Sequence, residues 1–208
     1  MMKEEGEDAT PTAQATLSKS STFAVVVVGQ IESVSFSSHN HVYCKYSCAY
    51  GADWRVVAGC EEGVTQIGRR AVFEPSAPHS KGTIVVWNHP IDVTFCSSNV
   101  YGWPQMVFSV FGLNAYGGDV IRGYGATHVP PIPGAHVLTV PLFVPEASSL
   151  LGRVRAWITG SQPEFVHAKV AAQGEGRGVL TVQSGGFLVV KVNVISRDFK
   201  KQGFKCSA

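Results

Sequence analysis

Four basic side chains alternate with two phenylalanines near the C-terminus, a pattern that suits contact with an anionic membrane surface. The phenylalanines are Phe199 and Phe204, and the basic residues are Arg197, Lys200, Lys201 and Lys205. Each basic residue close to anionic lipid contributes about 1 kcal/mol, and such clusters begin at about four charges. The alternative that the same residues allow is a solvated tail after the last strand.

Metal and nucleotide patterns are weak in this sequence. Cys44 and Cys48 have no matching pair of ligands downstream, and His39 and His41 have no third ligand nearby. The glycine-rich segment 173–178 lacks the lysine and the following helix of a phosphate-binding loop, so it predicts a tight turn. Calcium needs six to eight oxygens from neighbouring loops. No two of the aspartates share a loop: they are Asp8, Asp53, Asp92, Asp119 and Asp198.

Catalytic patterns are also missing. No Gly-x-Ser-x-Gly elbow occurs, and no spacing arranges a serine, a histidine and an aspartate into a triad. The four tryptophans raise a carbohydrate-binding or enzymatic alternative, although tryptophans of β-sandwiches are usually core residues: Trp54, Trp87, Trp103 and Trp157. The sequence predicts a protein that is not an enzyme and has no cofactor and no bound metal.

The composition favours a protein with partners. Charged residues make up 15% of the 208, against about a quarter in a typical soluble domain. The net charge of +2 creates no field that would attract nucleic acid. The longest apolar run, Phe23–Val28, is too short to span a bilayer. The polar N-terminus predicts no secretory signal, and hence five reduced cysteines.

The elements that must position these residues are short strands separated by glycine and proline. The sequence predicts a disordered tail over residues 1–21, one domain over residues 22–196 and a basic tail over residues 197–208. About eight strands with minimal helix predict an all-β, antiparallel sandwich. Residues 150–158 are the one candidate helix. Eight strands are predicted near 23–36, 41–50, 83–88, 91–96, 105–111, 119–128, 135–142 and 187–195, and the segments 54–58 and 64–67 are candidates for two further short strands.

Burial and pairing follow from the same pattern. The segment from Thr83 to Gly112 predicts either a hairpin or the two sides of a sandwich corner. Gly123 and Gly125 predict a bulge or a close backbone approach. The uncharged stretches Val25–Gln30 and Ile84–Trp87 need either a central place in the sheet or a covering partner. The predicted core comprises Val26, Val28, Trp87, Val93, Phe95, Val107, Phe108 or Val110, Leu188 and Val190.

Several long motifs resemble the B9 domain family. They are WNHPIDVTF (87–95), NVYGWPQMVFSVFG (99–112), GDVIRGYGATHVP (118–130) and AQGEGRG (172–178), together with CKYSCAYGADW (44–54) and GCEEGVTQI (59–67). The resemblance runs from about Thr22 to Phe204. It implies a C2-like sandwich with no catalytic residues.

The resemblance also implies a place in the cell. It implies a scaffold subunit of the Meckel syndrome complex at the ciliary transition zone or basal body, on the cytoplasmic side of the cilium base. That complex is needed for ciliogenesis and gates the entry of membrane proteins into cilia. Implied partners are B9 domain-containing protein 2, the Meckel syndrome type 1 protein and tectonic-type membrane proteins. The alternative function is calcium-independent binding to phospholipid.

Overall fold

The computed structural model describes residues 22–36, 40–71, 83–114, 117–145 and 182–204. Residues 1–21, the candidate helix at 150–158 and the glycine-rich turn at 173–178 lie outside the described residues. A short 3-10 turn, Phe199–Gln202, follows the last strand. Within the described residues there are ten strands: β1 (Phe23–Phe36), β2 (Val42–Ala49), β3 (Trp54–Gly59), β4 (Glu62–Val64), β5 (Arg70–Ala71), β6 (Thr83–Ser97), β7 (Gln105–Leu113), β8 (Asp119–His128), β9 (Gly134–Pro145) and β10 (Val182–Arg197).

The strands form one antiparallel sheet that curls into two layers. The first layer runs β3-β6-β1-β10-β9, with β5 also paired to β6, and the second runs β8-β7-β2-β4. A single pair, Tyr124 with Phe143, joins the layers at β8 and β9. Across the interior, the indole Nε1 of Trp87 on β6 donates to the carbonyl oxygen of Val42 on β2 at 3.1 Å. The prediction of an all-β antiparallel sandwich with minimal helix is confirmed.

The side chains of β1 alternate, but in the opposite sense to the prediction. Val25 and Val27 are 1% exposed, whereas Val26 is half-buried and Val28 is 44% exposed. The prediction that Val26 and Val28 are core residues is therefore wrong. A run in which every side chain is apolar carries no alternation, so its inward face cannot be determined from the run alone. The other predicted core residues are buried: Trp87, Val93, Phe95, Val107, Phe108, Val110, Leu188 and Val190.

The two sides of the segment 83–112 belong to different layers. β6 pairs with β1, β3 and β5, and β7 pairs with β2 and β8. The segment is therefore a sandwich corner and not a hairpin. The two strands predicted near 83–88 and 91–96 form one strand, which passes through a positive φ of 49° at Asn88 and through Pro90.

The backbone of the uncharged stretches is largely internal to the sheet. β1 lies between β6 and β10, so Val25–Gln30 is paired on both sides. Ile84 and Val85 lie between β1 and β5, and Val86 pairs with β1. An added strand must therefore pair elsewhere in the sheet, although the outward side chains of Val28 and Val86 remain exposed.

Gly123 and Gly125 serve contacts within the sandwich. The β7–β8 register shifts between Val110 and Phe111, which leaves Arg122 as the extra residue beside Gly123. A Cβ added to Gly125 would lie 2.9 Å from Cγ1 of Val140 on β9. These glycines therefore allow the bulge and the close approach of β8 to β9.

Candidate docking surfaces

The described basic residues of the C-terminus surround one carboxylate. Nζ of Lys201 lies 2.6 Å from Oδ1 of Asp198, and Nε of Arg197 lies 3.6 Å from Oδ2. The hydrogen bond from Lys201 lowers the pKa of the Asp198 carboxyl, with attraction from both cations adding to the effect. Lys200 is exposed on the same turn, and Lys205 lies outside the described residues. The negative charge of Asp198 therefore neutralises one of the three positive charges described on this turn.

The phenylalanines of the same segment point into the protein. Phe199 is 6% exposed, and its ring centroid lies 4.5 Å from that of Phe23 on β1. Phe204 packs against both rings, at 5.8 Å from Phe23 and 6.1 Å from Phe199. These rings pack in the core and cannot insert into a membrane. The basic turn can therefore attract an anionic membrane only through its positive charge.

The described tryptophans are structural. Trp54 and Trp87 are buried, and Trp103 packs partly buried against the same cluster. Each indole N–H donates to a backbone carbonyl: Trp54 to Tyr101 at 2.9 Å, and Trp103 to Val129 at 2.7 Å, in addition to the Trp87 bond. The buried rings of Trp54 and Trp87 therefore have no accessible face for a sugar, and Trp103 is held against the core by its hydrogen bond. Trp157 lies outside the described residues.

Two groups with reactive potential, the Cys44 thiol and the Tyr50 phenol, are held in their protonated states. Burial raises the pKa of the Cys44 thiol, so it stays protonated and is a poor nucleophile and metal ligand. Cys48 is also buried, whereas Cys60 is exposed and Cys96 half-buried. The phenol of Tyr50 donates to Oε2 of Glu61 at 2.6 Å, and this bond raises the Tyr50 pKa to about 12. The Cys44 thiol and the Tyr50 phenol are therefore protonated near neutral pH.

The described aspartates belong to four separate elements. Asp53 lies in the β2–β3 turn, Asp92 within β6, Asp119 at the start of β8 and Asp198 after β10. Within the described ranges, no three His, Cys, Asp or Glu side chains come close enough to hold a metal ion. His39 and Asp8 lie outside those ranges. Among the same residues, no helix has the length and apolarity needed to cross a membrane.

Millimolar calcium should leave the melting temperature of the full chain unchanged. A ligand at one hundred times its dissociation constant adds about 2.7 kcal/mol to the free energy of unfolding. That gain would raise the melting temperature of a chain of this size by about 5 °C or more. The aspartates that would have to share the ion are separated by the fold, so we expect a shift below about 1 °C. Calorimetry with calcium and then with chelator checks this. A chelator-reversible rise would contradict it.

The outward side of the first layer, which we call the open face, is partly apolar. It is formed by the side chains of β6, β1, β10 and β9 that point away from the core. Its charged members are Asp92 opposite Val28, Arg197 opposite Ala24, and a pair in which Nζ of Lys191 lies 2.9 Å from Oε1 of Glu32. Its exposed apolar members, between 44% and 66% accessible, are Val28, Val86, Val137, Phe187 and Ile195.

The outward side of the second layer is closed by comparison. Val107, Ile121 and Tyr124 point away from the main core, yet each is 3% exposed or less. The rings of Tyr43 and Phe111 stack at 5.4 Å beside them, and Nζ of Lys45 lies 4.7 Å from the Phe111 ring centre. The two layers therefore differ in degree: the second layer leaves Val64 of β4 and Leu113 of β7 accessible, whereas the open face leaves five large apolar side chains accessible.

Comparison with known proteins decides the family. Residues 25–195 match the family model B9-C2, described as ciliary basal body-associated, B9 protein. The chain belongs to the B9 domain family. It is 48% identical to B9 domain-containing protein 1 of mouse over 184 residues, which is 88% of this chain and 87% of that protein. The identity to B9 domain-containing protein 1 of Xenopus laevis is 49% over the same length. The resemblance in the motifs is confirmed at the level of the family.

More distant similarity connects the chain to a second branch of the family. It is 31% identical to human B9 domain-containing protein 2 over 182 residues, covering 88% of this chain and 98% of that protein. Among solved structures, a C2 domain of plant extended synaptotagmin 1 superposes with a TM-score of 0.43 at 12% identity, over 82% of this chain and 93% of that domain.

The open face itself was not evident from the sequence. Its apolar members are spread over four strands that are distant along the chain, and only the register of the sheet aligns them. One sequence signal was available: the segment Gly123–Pro145 contains no Asp, Glu, Lys or Arg. A stretch of 23 uncharged residues that includes an exposed strand is a sign of a contact surface.

Proposed function

We propose that this B9-domain chain is a non-enzymatic scaffold subunit of the ciliary transition zone. It binds other B9-domain proteins of the Meckel syndrome complex, among them B9 domain-containing protein 2 and the Meckel syndrome type 1 protein. Through that complex it contributes to ciliogenesis and to the gating of membrane proteins at the base of the cilium. Family membership, with its basal-body description, supports the place of action.

The open face is the observation that carries the scaffold role. Four strands at about 4.8 Å spacing and about twelve residues long give a surface of about 760 Å². A stable interface buries about 600–1,000 Å² on each partner, so the open face has the size that such an interface needs. Its exposed valines, isoleucine and phenylalanine supply the apolar area that interface centres use, while the Lys191–Glu32 pair is already neutralised and Asp92 adds one exposed charge beside Val28.

Co-expression tests this function. The full chain, produced with B9 domain-containing protein 2 of its own organism, should elute from a sizing column in one peak heavier than either protein alone. Light scattering gives the mass, and a calcium-buffering protein of similar size is the control partner. A monodisperse monomer that co-purifies with neither B9 domain-containing protein 2 nor the Meckel syndrome type 1 protein would refute the scaffold role.

Calcium-independent binding to anionic phospholipid is the second candidate. Its support is the C-terminal turn, where the side chains of Arg197 and Lys201 are 82% and 62% exposed and Lys200 is exposed beside them. Lys205 completes the proposed contact. Vesicles containing phosphatidylserine should then float with the chain in the presence of chelator. Binding should fall when Lys200 and Lys201 are replaced by Ala, and neutral vesicles are the control.

A further inference from the structure

The described sheet edges differ in how well they are protected against pairing with another strand. Exposed edges are usually protected by shortness, bulges, charge or proline. β3 has six residues, a register shift between Val56 and Ala58, and the charge of Arg55. β4 has three residues, begins at Glu62 and follows Glu61. Both of these edges are therefore protected.

β9 is long and carries no charge. It runs for twelve residues, from Gly134 to Pro145, and pairs with β10 over that whole length. On its other side the paired contact with β8 is the single pair of Phe143 with Tyr124. Among the residues that the structure describes, the segment Gly134–Thr139 therefore has no strand on that side. We call this segment the β9 edge.

Proline positions show which backbone groups face outward. Pro141 lies opposite Phe187 in the β9–β10 ladder, and proline is accommodated where its missing N–H would face away from the paired strand. Backbone groups alternate in direction along a strand, so Ala135, Val137 and Thr139 direct their N–H and C=O groups to the same side as Pro141. Pro141 and Pro145 protect the second half of β9, and the first half has no such protection.

The side chains around the β9 edge favour an uncharged occupant. Val137 is 66% exposed, and Ala135 and Thr139 are exposed on the same face. Lys191, which lies opposite Val137 on β10, is already paired with Glu32. An acidic or basic strand would lose hydration on pairing here, and β9 has no charged side chain to offset that cost. Apolar and β-branched side chains pair best beside an exposed valine.

We propose that the β9 edge pairs with an extended, uncharged strand supplied by a second B9-domain protein, so that the first layer continues across the two chains. This inference rests on the scaffold function proposed above and adds the contact surface. The outward N–H and C=O groups of Ala135, Val137 and Thr139 bind the backbone of the incoming strand, and Val137 contacts its side chains.

Two substitutions at Val137 test the β9 edge. Val137→Pro removes one outward donor and keeps the β10 ladder, as Pro141 does; Val137→Lys adds the charge that protected edges carry. Each should weaken binding to B9 domain-containing protein 2 about tenfold, as expected from the loss of a hydrogen bond and an apolar contact. Val57→Lys is the matched control, because Val57 is 52% exposed on the protected β3 edge. It should change the affinity less than about twofold.

Hydrogen exchange of the full chain supplies the second readout. The amides of Ala135, Val137 and Thr139 should exchange rapidly in the free chain. In the complex their exchange rates should be lower by about tenfold or more. Protection of these amides already in the free chain, by its own residues or by a second copy, would overturn the proposal. So would a complex in which they stay unprotected and both Val137 variants bind like wild type, a result that leaves the scaffold function standing. Failure of the wild-type chain to form any complex would refute both.

Discussion

The Trp87→Ala variant should lose about 3–5 kcal/mol of unfolding free energy, the range for a large buried aromatic side chain. Trp87 is 4% exposed, and its indole bonds to Val42 in the opposite layer at 3.1 Å. Its own carbonyl oxygen accepts from Nε2 of Gln66 at 2.9 Å, so the residue connects β6 to both β2 and the loop after β4. Such a loss would remove a fifth or more of a typical domain's stability of about 5–15 kcal/mol.

Denaturant unfolding of the full chain measures this loss, and two variants control it. Trp87→Phe keeps most of the buried area, and the carbonyl of Val42 keeps the bond from the Gly68 amide at 2.8 Å, so its cost should be about 1–2 kcal/mol. Tyr101→Ala removes an aromatic side chain that is 82% exposed and should cost less than about 0.5 kcal/mol. A Trp87→Ala protein that melts with wild type would show that the two layers do not depend on this ring.

Strands that alternate polar and apolar residues were predictable, and β2 shows why. Val42, Cys44, Tyr46 and Cys48 alternate with Lys45 and Ser47, and the structure buries the first set against the other layer. β1 shows the limit. Its four consecutive valines fit either face, and the sheet register with β6 and β10 decides that Val25 and Val27 point inward.

The pairing of strands depends on contacts that are distant along the chain. The corner at residues 97–104 could equally have closed a hairpin, because both arms have strand composition. Ser97 helps to fix the corner: its hydroxyl, which has one proton to donate, lies within hydrogen-bonding distance of the carbonyl oxygens of Asp53 at 2.9 Å and Asn99 at 2.7 Å. The first of these contacts joins residues 44 apart, which no local pattern reveals.

The candidate surfaces were predictable to different degrees. The basic residues at 197–201 were found from sequence, but the burial of Phe199 and Phe204 was not, since it requires Phe23 to lie beside them. The low charge of the chain was evident from composition. The gathering of uncharged residues on the open face and at the β9 edge depends on which strands lie outermost. Only the strand order of the sheet determines that.

Gly29 is a second position where a substitution should destabilise the fold strongly. It lies in the middle of β1, opposite Ile91 on β6 and Val192 on β10. A Cβ added to Gly29 would lie 2.1 Å from the carbonyl oxygen of Lys191 and 2.8 Å from Cα of Val192. Both are backbone atoms of a paired strand, so no side-chain rotation can relieve the contact and β10 would have to move.

Gly29→Ala should therefore destabilise the chain by about 3 kcal/mol, the upper part of the range for overpacking, and lower its melting temperature by about 6–12 °C. The matched control is Gly118→Ala, in an exposed turn where the nearest atoms belong to the Asn114 side chain, 3.3 Å away or more. That variant should lie within about 1 kcal/mol of wild type. The two alanines add the same methyl group, so their difference measures the contact between β1 and β10. Equal melting of Gly29→Ala and Gly118→Ala would mean that β1 and β10 are further apart at this point than the structure places them.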